Sequence, residues 1–119
     1  MQKRILIYDD DEDILTVCEI ILTNVGYHVS IRHRTSRLLA DVSELSPGLI
    51  LMDMWIPETG GEKAIQLLRQ NQRTRNFPVI LFSANAEIQE IAERVNANGY
   101  LKKPFEIATM LNVIECNII

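Results

Sequence analysis

The stretch Gly48-Leu49-Ile50-Leu51-Met52-Asp53 is an apolar run that ends on a carboxylate. Pro47 precedes it and Ile56-Pro57 follow it, so residues that interrupt regular structure bound the run on both sides. A short apolar run with such limits is typical of a strand that is buried on both faces. Open parallel sheets place their chemistry beyond the carboxyl ends of their strands. We therefore expect Asp53 to lie in a crevice at the carboxyl edge of such a sheet.

The rest of the chain alternates between strand-like and helix-like segments. After each strand-like segment, apolar residues recur at helical spacing, most clearly at Ile88, Ile91, Ala92 and Val95. This alternation predicts a parallel sheet that is covered by helices on both faces. The predicted strands are residues 3–8, 27–31, 48–53, 77–82 and 100–102.

Length and composition indicate one globular domain that spans residues 1–119. A hydrophobic content of 47% and a charged content of 24% suffice for a core without disulfides. Cys18 and Cys116 lie in apolar helix-like segments and are expected to be reduced packing residues in a cytoplasmic protein. No apolar run approaches the about 18 residues of a membrane span, and strand-like sequence begins too early for a signal peptide. The chain fits either a complete small protein or a domain excised from a longer one.

The charge distribution argues against a nucleic-acid partner. The formal net charge is −4, whereas binding to phosphates requires clustered cations. The one cationic cluster, Arg32-His33-Arg34 with Arg37, is short and more typical of a solvated loop or helix start.

Polar side chains stand at the ends of four of the five predicted strands. Asp9 and Asp10 follow the first strand and Asp53 ends the third. Ser83 follows the fourth strand and Lys103 the fifth. If the first strand lies beside the third and the fourth beside the fifth, these side chains converge at one edge of the sheet.

Three converging carboxylates require a compensating positive charge. At a separation of about 4 Å and an effective dielectric constant near 20, each pair costs several kcal/mol. A divalent cation with oxygen ligands offsets this cost, and few protein ligands with room for water favour Mg²⁺. Lys103 adds a fixed positive charge. The acidic residues that follow the pair, Asp11 to Asp13, instead suit a solvated helix start that the helix dipole favours.

Together, four motifs resemble the receiver domain of two-component response regulators, in order and over the whole chain. The motifs are Ile5-Leu6-Ile7-Tyr8-Asp9-Asp10, Leu51-Met52-Asp53-Met54-Trp55-Ile56-Pro57, Ser83-Ala84 and Tyr100-Leu101-Lys102-Lys103-Pro104-Phe105. The resemblance implies a doubly wound, flavodoxin-like α/β fold with five helices and a five-stranded parallel sheet in the order 2-1-3-4-5. It also implies a bacterial, cytoplasmic phosphorelay protein that is no enzyme beyond catalysing its own phosphorylation and dephosphorylation.

The same resemblance implies roles for the converging residues. Asp53 is the phosphoacceptor and takes a phosphoryl group from a histidine kinase or phosphotransfer protein in a Mg²⁺-dependent reaction. Asp10 and Asp53 bind Mg²⁺ directly with the main-chain carbonyl of Trp55, and Asp9 acts mostly through a metal-bound water. Lys103 contacts the phosphoryl oxygens, and its bond to the following proline is expected to be cis.

The resemblance also implies a switch. Ser83 donates a hydrogen bond to a phosphoryl oxygen, and Tyr100 rotates inward into the space that Ser83 leaves. The surface of the fourth helix, fifth strand and fifth helix then repacks and docks a downstream protein, a missing output domain or a second phosphorylated copy.

Trp55 departs from relatives that have a small polar residue at this position. Its ring lies two residues past Asp53, and a bulky ring at the mouth of the pocket should keep water from the acyl phosphate. We therefore expect the phosphoryl group on Asp53 to be long-lived. The alternative is that Trp55 is an exposed docking ring.

Three other functions fit the sequence less well. A Mg²⁺-dependent phosphatase with an aspartate nucleophile requires a second acid at the position of Trp55. A flavin-binding module requires a phosphate-binding loop after the first strand, where Asp9 and Asp10 would repel the phosphate. An adaptor that keeps the receiver fold but is never phosphorylated is the main alternative. The presence of every expected pocket residue disfavours it.

Overall fold

The chain, seen here in a computed structural model that describes residues 2–119, alternates between strands and helices from end to end. Each of the five strands is followed by one helix, as the sequence predicts. The elements are β1 (Arg4–Tyr8), α1 (Glu12–Asn24), β2 (His28–Arg32), α2 (Leu38–Leu45), β3 (Leu49–Asp53), α3 (Gly61–Gln70), β4 (Val79–Ser83), α4 (Ile88–Arg94), β5 (Gly99–Lys102) and α5 (Ile107–Asn117).

The five strands form one parallel sheet in the order β2-β1-β3-β4-β5, which confirms the predicted topology. β1 pairs with β3, and β4 pairs with β5. In the register of the sheet, Asp53 stands beside Phe82, and Ser83 beside Lys102. The carboxyl ends that carry polar residues are therefore neighbours.

Two apolar layers cover the sheet, one on each face. Ile50 and Met52 of β3 face the layer that α2, α3 and α4 complete, whereas Leu49 and Leu51 face α1 and α5. Every residue of β3 is buried. The interpretation of this stretch as a strand with two buried faces is confirmed.

The predicted inner faces of the helices are broader than the observed ones. Val17 of α1 and Ile107 of α5 are each 54% exposed, although both belong to apolar helical patterns. In α1 only Leu15, Cys18 and Leu22 are buried, because a flat sheet covers only a narrow stripe of a helix. Within residues 2–119, no helix combines the length and apolar character that a membrane crossing requires.

Arg69 joins three segments at the amino edge of the sheet. Its Nε donates to the carbonyl of Asn96 at 2.9 Å, and its Nη1 donates to the carbonyls of Arg75 and Phe77 at 3.0 and 2.8 Å. Its Nη2 donates to Oδ1 of Asn98 at 2.8 Å. Burial lowers the pKa of the Arg69 guanidinium. We call this set of contacts the Arg69 clamp, and all its acceptors are uncharged oxygens.

The two cysteines differ in their surroundings. Cys18 is buried, as expected of a packing residue, but Cys116 is exposed on α5. The packing role expected for Cys116 is therefore wrong, because this position lies on the solvent side of its helix.

This difference predicts the order in which the thiols react. Burial, with a smaller contribution from the Asp9 carboxylate, raises the pKa of Cys18 to about 11. Since the thiolate is the reactive form, this shift alone lowers the reactivity of Cys18 about 100-fold, and the buried Cys18 should react far more slowly than the exposed Cys116. Iodoacetamide at pH about 8, followed by peptide mass spectrometry, should label Cys116 alone in the folded protein and both thiols in urea. Equal labelling of the folded protein would contradict the packing of α1.

Candidate functional site

Three carboxylates meet at the carboxyl edge of the sheet. Asp9 and Asp10 follow β1, and Asp53 is the last residue of β3. One carboxylate oxygen from each of the three lies within 4.8 Å of the others. Asp9 and Asp53 are buried, whereas Asp10 is exposed. The expected convergence of these strand ends is therefore present.

Lys103 provides the positive charge at the centre of this cluster. Its Nζ donates to Oδ2 of Asp9 at 3.2 Å and to Oδ1 of Asp53 at 3.0 Å. The ammonium also lies 4.5 Å from the centroid of the Phe82 ring, a favourable cation–π distance. The main-chain amide of Lys103 donates to the carbonyl of Ser83 at 2.8 Å, and the bond to Pro104 is cis, as expected.

Burial and charge act on Asp53 and Lys103 in opposite ways. Burial raises the pKa of Asp53, and the carboxylate of Asp9 raises it further, while the hydrogen bond from Lys103 only partly opposes them. For Lys103, burial lowers the pKa, but the hydrogen bonds and charges of Asp53 and Asp9 outweigh it, so the net shift is upward. The lysine therefore stays protonated. One ammonium for three carboxylates leaves an excess of negative charge.

This donor set fits a hard divalent cation. It consists of carboxylate oxygens only, and the exposed side of Asp10 leaves room for coordinated water. Mg²⁺ prefers oxygen ligands and usually retains several waters. Asp9, Asp10 and Asp53 are the residues that could hold such an ion.

Ser83 is the last residue of β4, at the same edge of the sheet as the carboxylates. The residue is buried, and its Oγ accepts a hydrogen bond from the amide of Asn85 at 3.0 Å. A hydroxyl that accepts one bond still has a hydrogen to donate. The Ser83 hydroxyl can therefore donate a hydrogen bond to an anionic group placed beside Lys103.

Trp55 and Tyr100 lie outside the cluster. Trp55 is 70% exposed, and it lines a cleft of about 350 Å³ between the loop after β3 and α4, together with Asn85. Tyr100 is 38% exposed, and its hydroxyl donates to Oε1 of Gln89 on α4 at 3.3 Å. Both rings therefore lie at the surface and outside the cluster.

Gly61 sets the distance between α3 and the end of β3. Its amide donates to the carbonyl of Met54 at 2.8 Å. A Cβ at this position would lie 2.5 Å from the carbonyl oxygen of Asp53 and 2.8 Å from Cα of Met54. Only glycine allows the first turn of α3 to pack this closely against the strand that carries Asp53.

A polar contact behind the acid pair was not predicted from the sequence. The hydroxyl of Tyr8 donates to Oδ2 of Asp41 on α2 at 3.0 Å, and Nε of Arg32 lies 3.6 Å from the same oxygen. Burial, with the charge of Asp41, raises the pKa of Tyr8. The available signal was a tyrosine at the end of a buried strand, because a buried phenol usually requires a partner.

The comparison with known proteins agrees with this architecture. The family model described as response regulator receiver domain matches residues 5–115. The chain is 36% identical over 110 residues to the DNA-binding dual master transcriptional regulator RpaA of Synechocystis, an alignment that covers 91% of this chain and 46% of that protein. The chain thus spans about half the length of this relative.

Solved structures show the same fold. A putative response regulator from Chloroflexus aurantiacus superposes with a TM-score of 0.92 at 23% identity, covering 98% of this chain and 97% of the other. The receiver domain of sensor histidine kinase PA1611 from Pseudomonas aeruginosa has a TM-score of 0.88 at 26% identity, covering 98% of both chains. That structure has a magnesium ion coordinated in its active site cleft. With the family model matched over nearly its whole length, this chain belongs to the response regulator receiver domain family.

Proposed function

We propose that the chain is a phosphorylation switch in which Asp53 accepts a phosphoryl group from a histidine kinase or phosphotransfer protein. The observation that carries this proposal is the placement of Lys103 between Asp53 and Asp9, with Asp10 beside them. Phosphoryl transfer requires little more than a positioned nucleophile and neutralised charge, and this edge of the sheet offers both.

In the proposed transfer, a carboxylate oxygen of Asp53 forms a bond to phosphorus. The bond from phosphorus to the donor histidine nitrogen breaks, and its electron pair stays on the imidazole. Lys103 pairs with the oxygens of the incoming group, because its ammonium already lies 3.0 Å from Asp53. The phosphoryl group remains on Asp53 as an acyl phosphate.

Asp10 and Asp53, with the main-chain carbonyl of Trp55, would hold Mg²⁺, and Asp9 would act through water. The ion supplies charge neutralisation at the phosphoryl oxygens. Support comes from the excess negative charge of the cluster and from the magnesium ion in the PA1611 receiver domain.

The output step begins at Ser83. Its hydroxyl hydrogen would turn to a phosphoryl oxygen, and Tyr100 would move into the space that this shift leaves. Tyr100 now bonds Gln89 on α4, so its movement would change the face formed by α4, β5 and α5. That face would then dock a downstream protein, an output domain or a second phosphorylated copy. Relatives such as RpaA carry DNA-binding function in proteins about twice as long as this chain.

The phosphoryl acceptor can be tested directly. Incubation with Mg²⁺ and acetyl phosphate should add one phosphoryl group to the wild-type chain, as seen by intact mass. Asp53→Ala should abolish the gain, because the nucleophilic oxygen is gone. Asp13→Ala, which removes an exposed carboxylate outside the cluster, is the matched control and should be phosphorylated normally. A wild-type chain that gains no mass would favour the unphosphorylated adaptor.

Trp55→Asn tests whether the indole ring protects the acyl phosphate. The ring lines the same cleft as Asn85 and lies two residues past Asp53, so its removal should admit water and speed loss of the phosphoryl group severalfold. The measurement is the decay of the phosphorylated mass after acetyl phosphate is removed. Leu67→Asn, a change of similar polarity on exposed α3 surface, should leave the decay unchanged. An unchanged or slower decay in Trp55→Asn would instead support a docking role for the ring.

A further inference from the structure

Four contacts form a closed ring behind the acid pair. Tyr8 is joined covalently to Asp9, whose amide donates to the carbonyl of Arg32 at 3.2 Å. Nε of Arg32 lies 3.6 Å from Oδ2 of Asp41, and the same oxygen accepts a hydrogen bond from the Tyr8 hydroxyl at 3.0 Å. The ring therefore connects β1, β2 and α2, and one of its links is the peptide that leads directly into the site.

The Tyr8–Asp41 link of the ring lies in the protein interior, where a hydrogen bond is strong. Tyr8 is fully buried, and Asp41 is only 4% exposed. A phenol that donates to a carboxylate makes a charge-assisted hydrogen bond, and low local polarity strengthens it. Arg32 is partly exposed and contributes the weaker link. Tyr8 thus has little freedom to move while Asp41 holds its hydroxyl.

We propose that Tyr8 is a positioning residue that holds Asp9 at the site through Asp41 and Arg32. This inference rests on the proposed function, since it assigns the ring to the cation site. Tyr8 is the last residue of β1, and beyond it the Asp9 amide makes one further main-chain hydrogen bond across to β2, to the carbonyl of Arg32. The ring reinforces that bond by restraining the Tyr8–Asp9 peptide from both sides. By the reciprocity of linked equilibria, the position of α2 is then coupled to occupancy of the cation site.

Tyr8→Phe opens the ring by removing one hydroxyl. The matched control is Thr74→Val, which removes a buried hydroxyl whose Oγ1 donates to the carbonyl of Leu68 at 2.8 Å, far from the site. Both variants lose one buried hydrogen bond, so a general loss of stability should affect both. Asp41→Ala opens the ring from α2 without changing β1, because it removes the oxygen that accepts the Tyr8 hydroxyl.

Two readouts separate positioning from stability. Mg²⁺ is titrated against the fluorescence of Trp55, the single tryptophan, and amide hydrogen exchange is measured at Asp9 and Asp10 without the ion. Outer residues that orient metal ligands typically change affinity by 10–100-fold, so Tyr8→Phe should raise the Kd for Mg²⁺ about tenfold. It should also speed exchange at Asp9, whereas Thr74→Val should change neither. The double variant Tyr8→Phe with Asp41→Ala should weaken binding no more than either single change.

The outcomes distinguish this inference from the proposed function. If wild type is phosphorylated but Tyr8→Phe shows the wild-type Kd and exchange, the positioning role is wrong and the switch stands. If Thr74→Val weakens Mg²⁺ binding as much as Tyr8→Phe, the effect is general destabilisation and the inference is overturned. If wild type is not phosphorylated, the proposed function fails, and exchange at Asp9 alone decides whether the ring restrains this residue.

Discussion

Lys103→Met should lower the free energy of unfolding by about 3 kcal/mol in the absence of divalent cations, because it leaves the buried carboxylates of Asp9 and Asp53 without their counter-ion. Methionine keeps most of the side-chain volume, so the change removes charge more than packing. Phosphorylation by acetyl phosphate should fall about 100-fold, the usual cost of losing one group that stabilises transition-state charge. Urea unfolding measures the first effect, and intact mass against time measures the second.

Lys102→Met is the matched control for this prediction. The residue is adjacent and exposed, and its side chain has no ion pair among the described residues. It should unfold and react like wild type. Mg²⁺ should raise the free energy of unfolding of Lys103→Met more than that of wild type. A ligand that binds only the folded chain stabilises it, and in this variant no ammonium competes with Mg²⁺ for the carboxylates. Equal stabilisation of the two proteins would contradict a shared cation site.

Gly61→Ala should be the most disruptive single-methyl change in the loop after β3. The added Cβ would lie 2.5 Å from the carbonyl oxygen of Asp53, and backbone cannot yield as a flexible side chain can. Overpacking of this kind costs about 3 kcal/mol or more when no side chain can move away. For a domain of this size that corresponds to a fall in Tm of about 10 °C. Affinity for Mg²⁺ should fall as well, because α3 must move away from the strand that carries Asp53.

Gly26→Ala provides the comparison. Gly26 has a φ of 102°, but a Cβ there would meet no atom within 4 Å. This change tests backbone strain without a clash, so it should cost about 1 kcal/mol and leave Mg²⁺ binding unchanged. If the two variants lose equal stability, the close approach of α3 to β3 does not determine the cost at Gly61.

The parts of the site that depend on topology could be predicted from the sequence. Asp9, Asp53 and Lys103 each follow or end a strand, and parallel strands bring such positions to one edge whatever the details of packing. The family resemblance then supplied the strand order, and the structure confirmed it. No distance between side chains was needed for that step.

Contacts between side chains far apart in the chain could not be predicted in the same way. Tyr8 and Asp41 are separated by 33 residues, and Arg69 and Asn98 by 29. A local pattern can mark one member, as the tyrosine at the end of the buried strand does, but it does not identify the partner. The exposure of Cys116 was missed for a related reason, because helical periodicity alone does not fix where the covered stripe of a helix ends.

The Arg69 clamp has a consequence for how the domain responds to acid. Its acceptors are main-chain carbonyls and a side-chain amide, and none of these titrates as the pH falls. The Asp53 carboxylate at the opposite edge does titrate, and burial raises its pKa, so its bond to Lys103 weakens early as the pH falls. Acid should therefore loosen the edge of the sheet at Asp53 first, while the Arg69 clamp at the opposite edge keeps α3 joined to the segments that lead into β4 and β5.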